Sequence, residues 1–360
     1  MKTAIIHISD FHIKENDHFI VDKIDKIANA LNVLGKIDKY IVIFSGDLAY
    51  SGKINEYKKA RFVIGKIYEN LKRISNNERV EILMVPGNHD MVLDENSRDC
   101  DDILNYYKEN KIDEKLEEEI KRFDNFYNES KVHMSKKRDK IIDNYYIKSG
   151  NINLQINLIN SAYFSTTKPN DKELHYFPLD RLNSLNKRDE LSITVMHHTT
   201  ESYNGFCKNA LEGKLYEQTD ILLTGHNHFP QTKRVSINDK GNIIESCGGE
   251  MNFTDQYFND VFNVLLLDND SLSCIGYSFK WIGKENIYKH EQVLKEYSIK
   301  NNKKLYIKSV VFMILFTVSE MLYKTFISKF LANMVNKEFE IAFNLIILCA
   351  IFRIFGITFC

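Results

Sequence analysis

The chain has 360 residues, 44% of them hydrophobic and 27% charged, enough apolar material for one large packed domain or two smaller ones. Lysine and arginine number 48 against 49 aspartates and glutamates, and this balance excludes a broadly cationic coat for nucleic acid, leaving only a local basic patch open. The cysteines form no C-x-x-C pair, and residues 1–10 read as a first strand rather than an export segment, so reduced thiols and a cytoplasmic setting are expected.

In chain order, residues 4–8 make a short β-rich run followed at once by polar residues. Apolar side chains then recur at Ile20, Ile24, Ile27, Leu31 and Leu34, the spacing of a helix. Residues 40–44 are continuously β-branched or aromatic, which predicts a strand covered on both faces. A helical pattern over 57–71 and a strand over 80–85 complete a β-α-β-α-β opening. Its polar loops fall at the carboxyl ends of the strands, where ligands sit in layered α/β proteins.

From 94 to 140 the chain is highly charged and lacks glycine and proline. Leu116, Ile120, Phe123 and Tyr127 predict an amphipathic helical insertion here. It reads either as a solvated structural face or as a cap bringing Lys136, Lys137 and Arg138 to the mouth of a site. Strand-like runs resume at 154–159, 191–196 and 221–223. A second β-rich group follows at 232–237, 242–245, 262–267 and 273–279, and the domain is expected to end at residue 280.

Residues 281–304 read as a polar, lysine-rich linker, and 305–360 as an apolar helical tail. Two segments of the tail approach the ~20 residues needed to span a bilayer. Glu320, Lys324 and Arg353 interrupt them at a cost of ~2.5–3.5 kcal/mol for a charge at a helix centre. A membrane hairpin is favoured over a helical pair that joins copies into a homo-oligomer, because 345–352 is apolar all round.

Five polar clusters follow the strand-like runs: Asp10-Phe11-His12, Gly46-Asp47, Gly87-Asn88-His89-Asp90, His197-His198 and Gly225-His226-Asn227-His228. Carboxylate, amide oxygen and imidazole suit manganese, iron or zinc, and thiolates are absent from every cluster. Taken alone, Asp10 would serve as a helix N-cap and Asp47 as a turn residue. Five clusters in order at strand ends point instead to one convergent site. His7, His18, His133, His175 and His290 match no cluster.

In this order the clusters resemble the motifs of the calcineurin-like metallophosphoesterases, over roughly residues 1–280. The resemblance implies an α/β fold, a four-layered αββα sandwich with metals at the strand ends. By motif, Asp10, His12 and His228 would bind one metal, Asn88, His197 and His226 the second, and Asp47 would bridge both. His89 would protonate the leaving oxygen or contact the phosphate, with Asp90 holding its tautomer. Asn88 and His198 are further candidates for substrate contact, His198 being equally readable as the next residue on an irregular loop. Two cations ~3.5–4 Å apart clamp developing negative charge and acidify a water between them.

Departures from the pattern narrow the reading. Thr199-Thr200 stand where many relatives carry prolines. No arginine follows Gly46-Asp47 as it does in phosphoprotein phosphatases, which argues against that activity. Tyr50 sits where purple acid phosphatases place a ligand, yet His12 makes that ligand redundant. The run from Gly46 to Gly52 followed by Glu56-Tyr57 looks most like the bacterial cyclic-nucleotide-phosphodiesterase-like branch. The expectation is therefore a dinuclear, metal-dependent phosphohydrolase, nearer a phosphodiesterase, with manganese or iron ahead of zinc and a phosphate-ester or nucleotide substrate. The alternatives are a nuclease of the same fold and a nucleotide-sensing module with little turnover. The tail would hold it at the inner face of the membrane.

Overall fold

The computed structural model describes residues 1–75, 80–92, 112–129, 139–165, 173, 175–185, 191–237, 241–254 and 260–299. The expected apolar tail, the basic trio Lys136, Lys137 and Arg138, and His133 lie outside them. Among the described residues no helix is long and apolar enough to cross a membrane.

Two six-stranded sheets make the frame. In the first, β1 (Lys2–Ile8), β2 (Lys39–Phe44) and β3 (Val80–Met84) run parallel, and β10 (Val261–Asp268), β11 (Ser273–Ile282) and β12 (Ile287–Ser298) continue antiparallel from β1. The second has the order β4 (Ile142–Ser149), β5 (Ile152–Ile159), β6 (Leu191–Val195), β7 (Ile221–Thr224), β9 (Gly241–Cys247), β8 (Gln231–Ile237). Every residue of β3, β6 and β7 is buried, as expected of strands covered on both faces.

Helix α1 (Val21–Ala30) turns Ile24, Ile27 and Ala28 inward, and α2 (Ile54–Ile74) buries Tyr57, Ala60, Val63, Ile64, Ile67 and Leu71 along one stripe. The predicted insertion supplies α3 (Ile112–Arg122) and α4 (Asp124–Glu129), with Leu116, Phe123 and Tyr127 buried as the periodicity required. Helix α5 (Gly205–Gln218), which the sequence reading did not single out, starts on Asn204, whose side chain accepts from the backbone of Phe206 and Cys207. The fold is the expected αββα sandwich.

Between the sheets the core is partly polar. His7 on β1 bridges to Ser246 on β9 at 3.1 Å and to Ser45 at 2.8 Å, and Thr3 meets Ser149 at 2.7 Å. These paired polar groups offset their own desolvation and tie the two sheets in register.

One boundary differs from expectation. The polar stretch read as a linker over 281–304 contains β12, hydrogen-bonded to β11 from Ile282↔Ile287 to Ser273↔Ser298. Met1–Lys300 forms one compact unit. An edge strand facing water keeps polar side chains along most of its length, so β12 carries no apolar alternation to announce it.

Candidate metal centre

Strand register gathers the clusters. Ile8 pairs with Phe44 and Phe44 with Met84, so the loops after β1, β2 and β3 leave the first sheet side by side. Val195 pairs with Leu223, which does the same for the loops after β6 and β7. Asp10, His12, Asp47, Asn88, His197, His226 and His228 all meet at this edge.

The backbone is bent to aim them. Asp10, His12, Asp47, His226 and His228 have φ of 55°, 47°, 55°, 69° and 53°, the left-handed region in which Asp and His are enriched among non-glycine residues. Such conformations cost about 1–3 kcal/mol each and persist where the surroundings over-determine them. Close approach explains two glycines as well. A Cβ on Gly87 would collide with the Asp47 carboxylate, and one on Gly46, at φ 107°, with the His197 ring.

His12 Nε2 lies 3.2 Å from His228 Nε2 and 3.8 Å from Asp10 Oδ1, and His228 Nε2 is 3.3 Å from that same oxygen. Asp47 Oδ2 is 3.2 Å from His197 Nε2 and 3.9 Å from His12 Nε2, so this carboxylate faces both halves of the cluster. On the far side His226 Nδ1 stands 3.2 Å from Asn88 Oδ1. These distances gather the seven residues expected as ligands into one cluster, with Asp47 facing both His12 and His197.

The donor set fits metal ions on its own chemistry. Asp10 Oδ1 and His197 Nε2 are buried and make no hydrogen bond of good geometry, although both face the cluster. Four overlapping groups, Asp10–His12–His228, His12–Asp47–His89, Asp10–Asp47–His197 and His197–His198–His226, each bring ligand atoms within 4.8 Å of one another. Buried carboxylates without a counter-charge are costly, and a cation removes the cost.

The titration behaviour says the same. Burial works against the imidazolium of His197, yet Asp47 beside it wins and holds the group up to about 9. Burial would raise the Asp47 carboxyl, but His197 keeps it well below the usual range. His12 lacks so close a counter-ion, and burial pushes it down to about 4. His228 is raised by the Asp10 carboxylate beside it. The two carboxylates thus draw positive charge into the cluster.

His89 is placed by two contacts. Its backbone N–H donates to Asp47 Oδ1 at 2.8 Å, and its Nδ1 lies 2.7 Å from the carbonyl oxygen of Tyr50. The expectation that Asp90 holds the His89 tautomer is therefore corrected. The Asp90 carboxylate accepts instead from the backbone N–H of Leu48, Ala49 and Gly87 at 3.1, 2.9 and 3.0 Å and from the Tyr57 hydroxyl at 2.9 Å. It is a buried clamp joining the second and third ligand loops; burial, then the charge of Asp47, pushes it up to about 6.

Several residues at the site carried no sequence signal. Ser45 offers its carbonyl to His197 Nδ1 at 2.7 Å, orienting a ring that faces Asp47 with its other nitrogen. His175, which matched no motif, packs its ring 4.4 Å from that of His198. A pocket of about 240 Å³ opens beside the cluster, lined by His12, His89 and His228 together with Lys14, Asp17, Tyr50, Glu250, Asn252 and Thr254.

Fold and site together set an Asp, Asn and His donor cluster suited to metal ions at one edge of an αββα sandwich. The chain belongs to the calcineurin-like phosphoesterases, whose family pattern matches residues 3–230. Over 91 residues it is 31% identical to the glycerophosphodiester phosphodiesterase GpdQ of Enterobacter lignolyticus, a match covering 24% of this chain and 29% of that relative. It is also similar to wild-type Vps29 of Entamoeba histolytica complexed with zinc, at 14% identity and a TM-score of 0.36 over 82% of this chain and 99% of that one. Vps29 of Cryptosporidium parvum gives 14% and 0.34 over 82% and 98%.

Proposed function

We propose that this protein is a phosphodiesterase whose site holds two metal ions, one on Asp10, His12 and His228, the other on Asn88, His197 and His226, with Asp47 shared. The observation that carries this reading is the position of Asp47 between the two halves of the cluster. When bound, the ions would supply Lewis acidity for the phosphate oxygens and acidify the attacking water.

The chain's own groups do the rest. Because the Tyr50 carbonyl can only accept, His89 Nδ1 carries a proton, and Nε2 is left as the nitrogen that can give or take one at the leaving oxygen. Asn88 adds an oxygen without adding negative charge. Asp17 and Glu250 face the pocket, and among the described residues Lys14 is the one lysine or arginine lining it. Such a wall repels a dianionic monoester more than a monoanionic diester, which favours the diester.

Hydrolysis of bis(p-nitrophenyl) phosphate by the full chain with added Mn²⁺ tests the reading against p-nitrophenyl phosphate. Turnover of the diester is expected to be the faster and to vanish in Asp47→Ala. Activity that survives this substitution would overturn the shared-ligand site, and a preference for the monoester would overturn the diester assignment.

A further inference from the structure

Ser161 follows β5 and is 1% exposed. Its Oγ accepts the backbone N–H of both His197 and His198 at 2.9 Å, and it lies 3.3 Å from His198 Nδ1. A hydroxyl has two lone pairs and one proton. With both lone pairs occupied by backbone donors, the Ser161 proton is left for His198 Nδ1, which must then be the acceptor. A neutral imidazole that accepts at Nδ1 carries its hydrogen on Nε2. That nitrogen is buried and has no hydrogen-bond partner among the described residues.

One ring nitrogen from each of His197, His198 and His226 falls within 4.8 Å of the others, an arrangement that by distance alone would suggest a third histidine ligand. A histidine ligating through Nε2 needs its hydrogen on Nδ1, with an acceptor for it. Ser161 Oγ has no lone pair to spare for that hydrogen.

We infer that Ser161 is a positioning residue that seats His197 through the backbone and presents His198 Nε2–H as a hydrogen-bond donor to a phosphate oxygen, so that His198 binds the anion and not the metal. The inference rests on the two-metal reading above. Ser161 and the residue before it are themselves held by tyrosine hydroxyls. The Ser161 carbonyl accepts from the Tyr203 hydroxyl at 2.9 Å, and the neighbouring Asn160 donates to the Tyr127 hydroxyl on α4 at 3.1 Å.

The test uses the full chain, Mn²⁺ content after dialysis, and calorimetric binding of inorganic phosphate to the Mn²⁺-loaded protein. His198→Ala is expected to keep both metal equivalents and to bind phosphate about tenfold more weakly, the loss of one hydrogen bond to an anion. His198→Gln, which returns an N–H near the Nε2 position, is expected to recover most of that loss. Ser161→Ala should weaken phosphate in the same sense, with Ser161→Thr restoring it. If Ser161→Ala does not fold, the two His198 variants decide the matter alone. Loss of a metal equivalent in His198→Ala would make this residue a ligand and overturn the inference, as would phosphate affinity equal to wild type. A wild-type protein that holds fewer than two equivalents would instead overturn the two-metal reading.

Discussion

His89 Nδ1 lies 2.7 Å from the main-chain carbonyl of Tyr50, and this contact, not a carboxylate, fixes which ring nitrogen faces the pocket. Because the partner is a backbone atom, no substitution at position 50 removes it without moving the chain. His89→Ala should lower kcat for the diester by about 10²–10⁴-fold with little change in metal content. Tyr50→Phe, which keeps the carbonyl, should stay close to wild type. Steady-state kinetics with metal analysis on both variants checks the pair.

Asp90 behaves as a structural residue in this arrangement. Removing its carboxylate in Asp90→Ala leaves three buried backbone donors without an acceptor and the Tyr57 hydroxyl with the Asp90 main-chain carbonyl alone. The expected loss is about 3 kcal/mol of stability, against about 1 kcal/mol for Tyr57→Phe. Urea unfolding of both variants measures it. A variant of wild-type stability with an altered pH–rate profile would restore Asp90 to the role of orienting His89.

Ion binding should stabilise the fold. Asp10 and Asp47 are buried, so the folded chain carries negative charge that cations offset. Mn²⁺ at a hundred times its dissociation constant should add about 2.7 kcal/mol per site and raise Tm by several degrees, reversibly on chelation. Asp47→Asn should lose most of this increment. Thermal melts with and without EDTA provide the comparison.

His7 introduces a pH dependence from outside the candidate ligand set. Burial pushes its pKa from 6.5 down to about 4 in the folded protein. Between these values the unfolded chain binds a proton that the folded chain does not. Stability is therefore fully present above pH 6.5 and falls as the pH is lowered towards 4, by about 2 kcal/mol at pH 5. His7→Asn should be less stable than wild type at pH 7.5, with a correspondingly smaller loss between pH 7.5 and pH 5. Denaturant titrations at the two pH values measure the difference.

Helix spacing in 19–34 and 57–71 and the apolar runs before each cluster marked most of the frame in advance, because burial on one face or two leaves a period in the sequence. The seven ligand candidates were legible for a related reason. Each stands directly after a buried strand, and parallel pairing such as Ile8↔Phe44 and Val195↔Leu223 carries strand ends to a common edge. Strand β12 escaped notice because an exposed edge needs no apolar alternation, and β4 because its outward positions are mixed.

The residue types and their order in the chain, Asp-x-His through Gly-His-x-His, were sufficient to point to the phosphoesterase family and to the seven residues that meet at one sheet edge. What only the tertiary structure decided is how those donors are held: the Tyr50 carbonyl on His89, the Ser45 carbonyl on His197, the Ser161 hydroxyl beneath His198, and Asp90 as a clamp between loops. These contacts use backbone atoms, or side chains up to 152 positions away from their partners, and neither leaves a local pattern that sequence spacing can reveal.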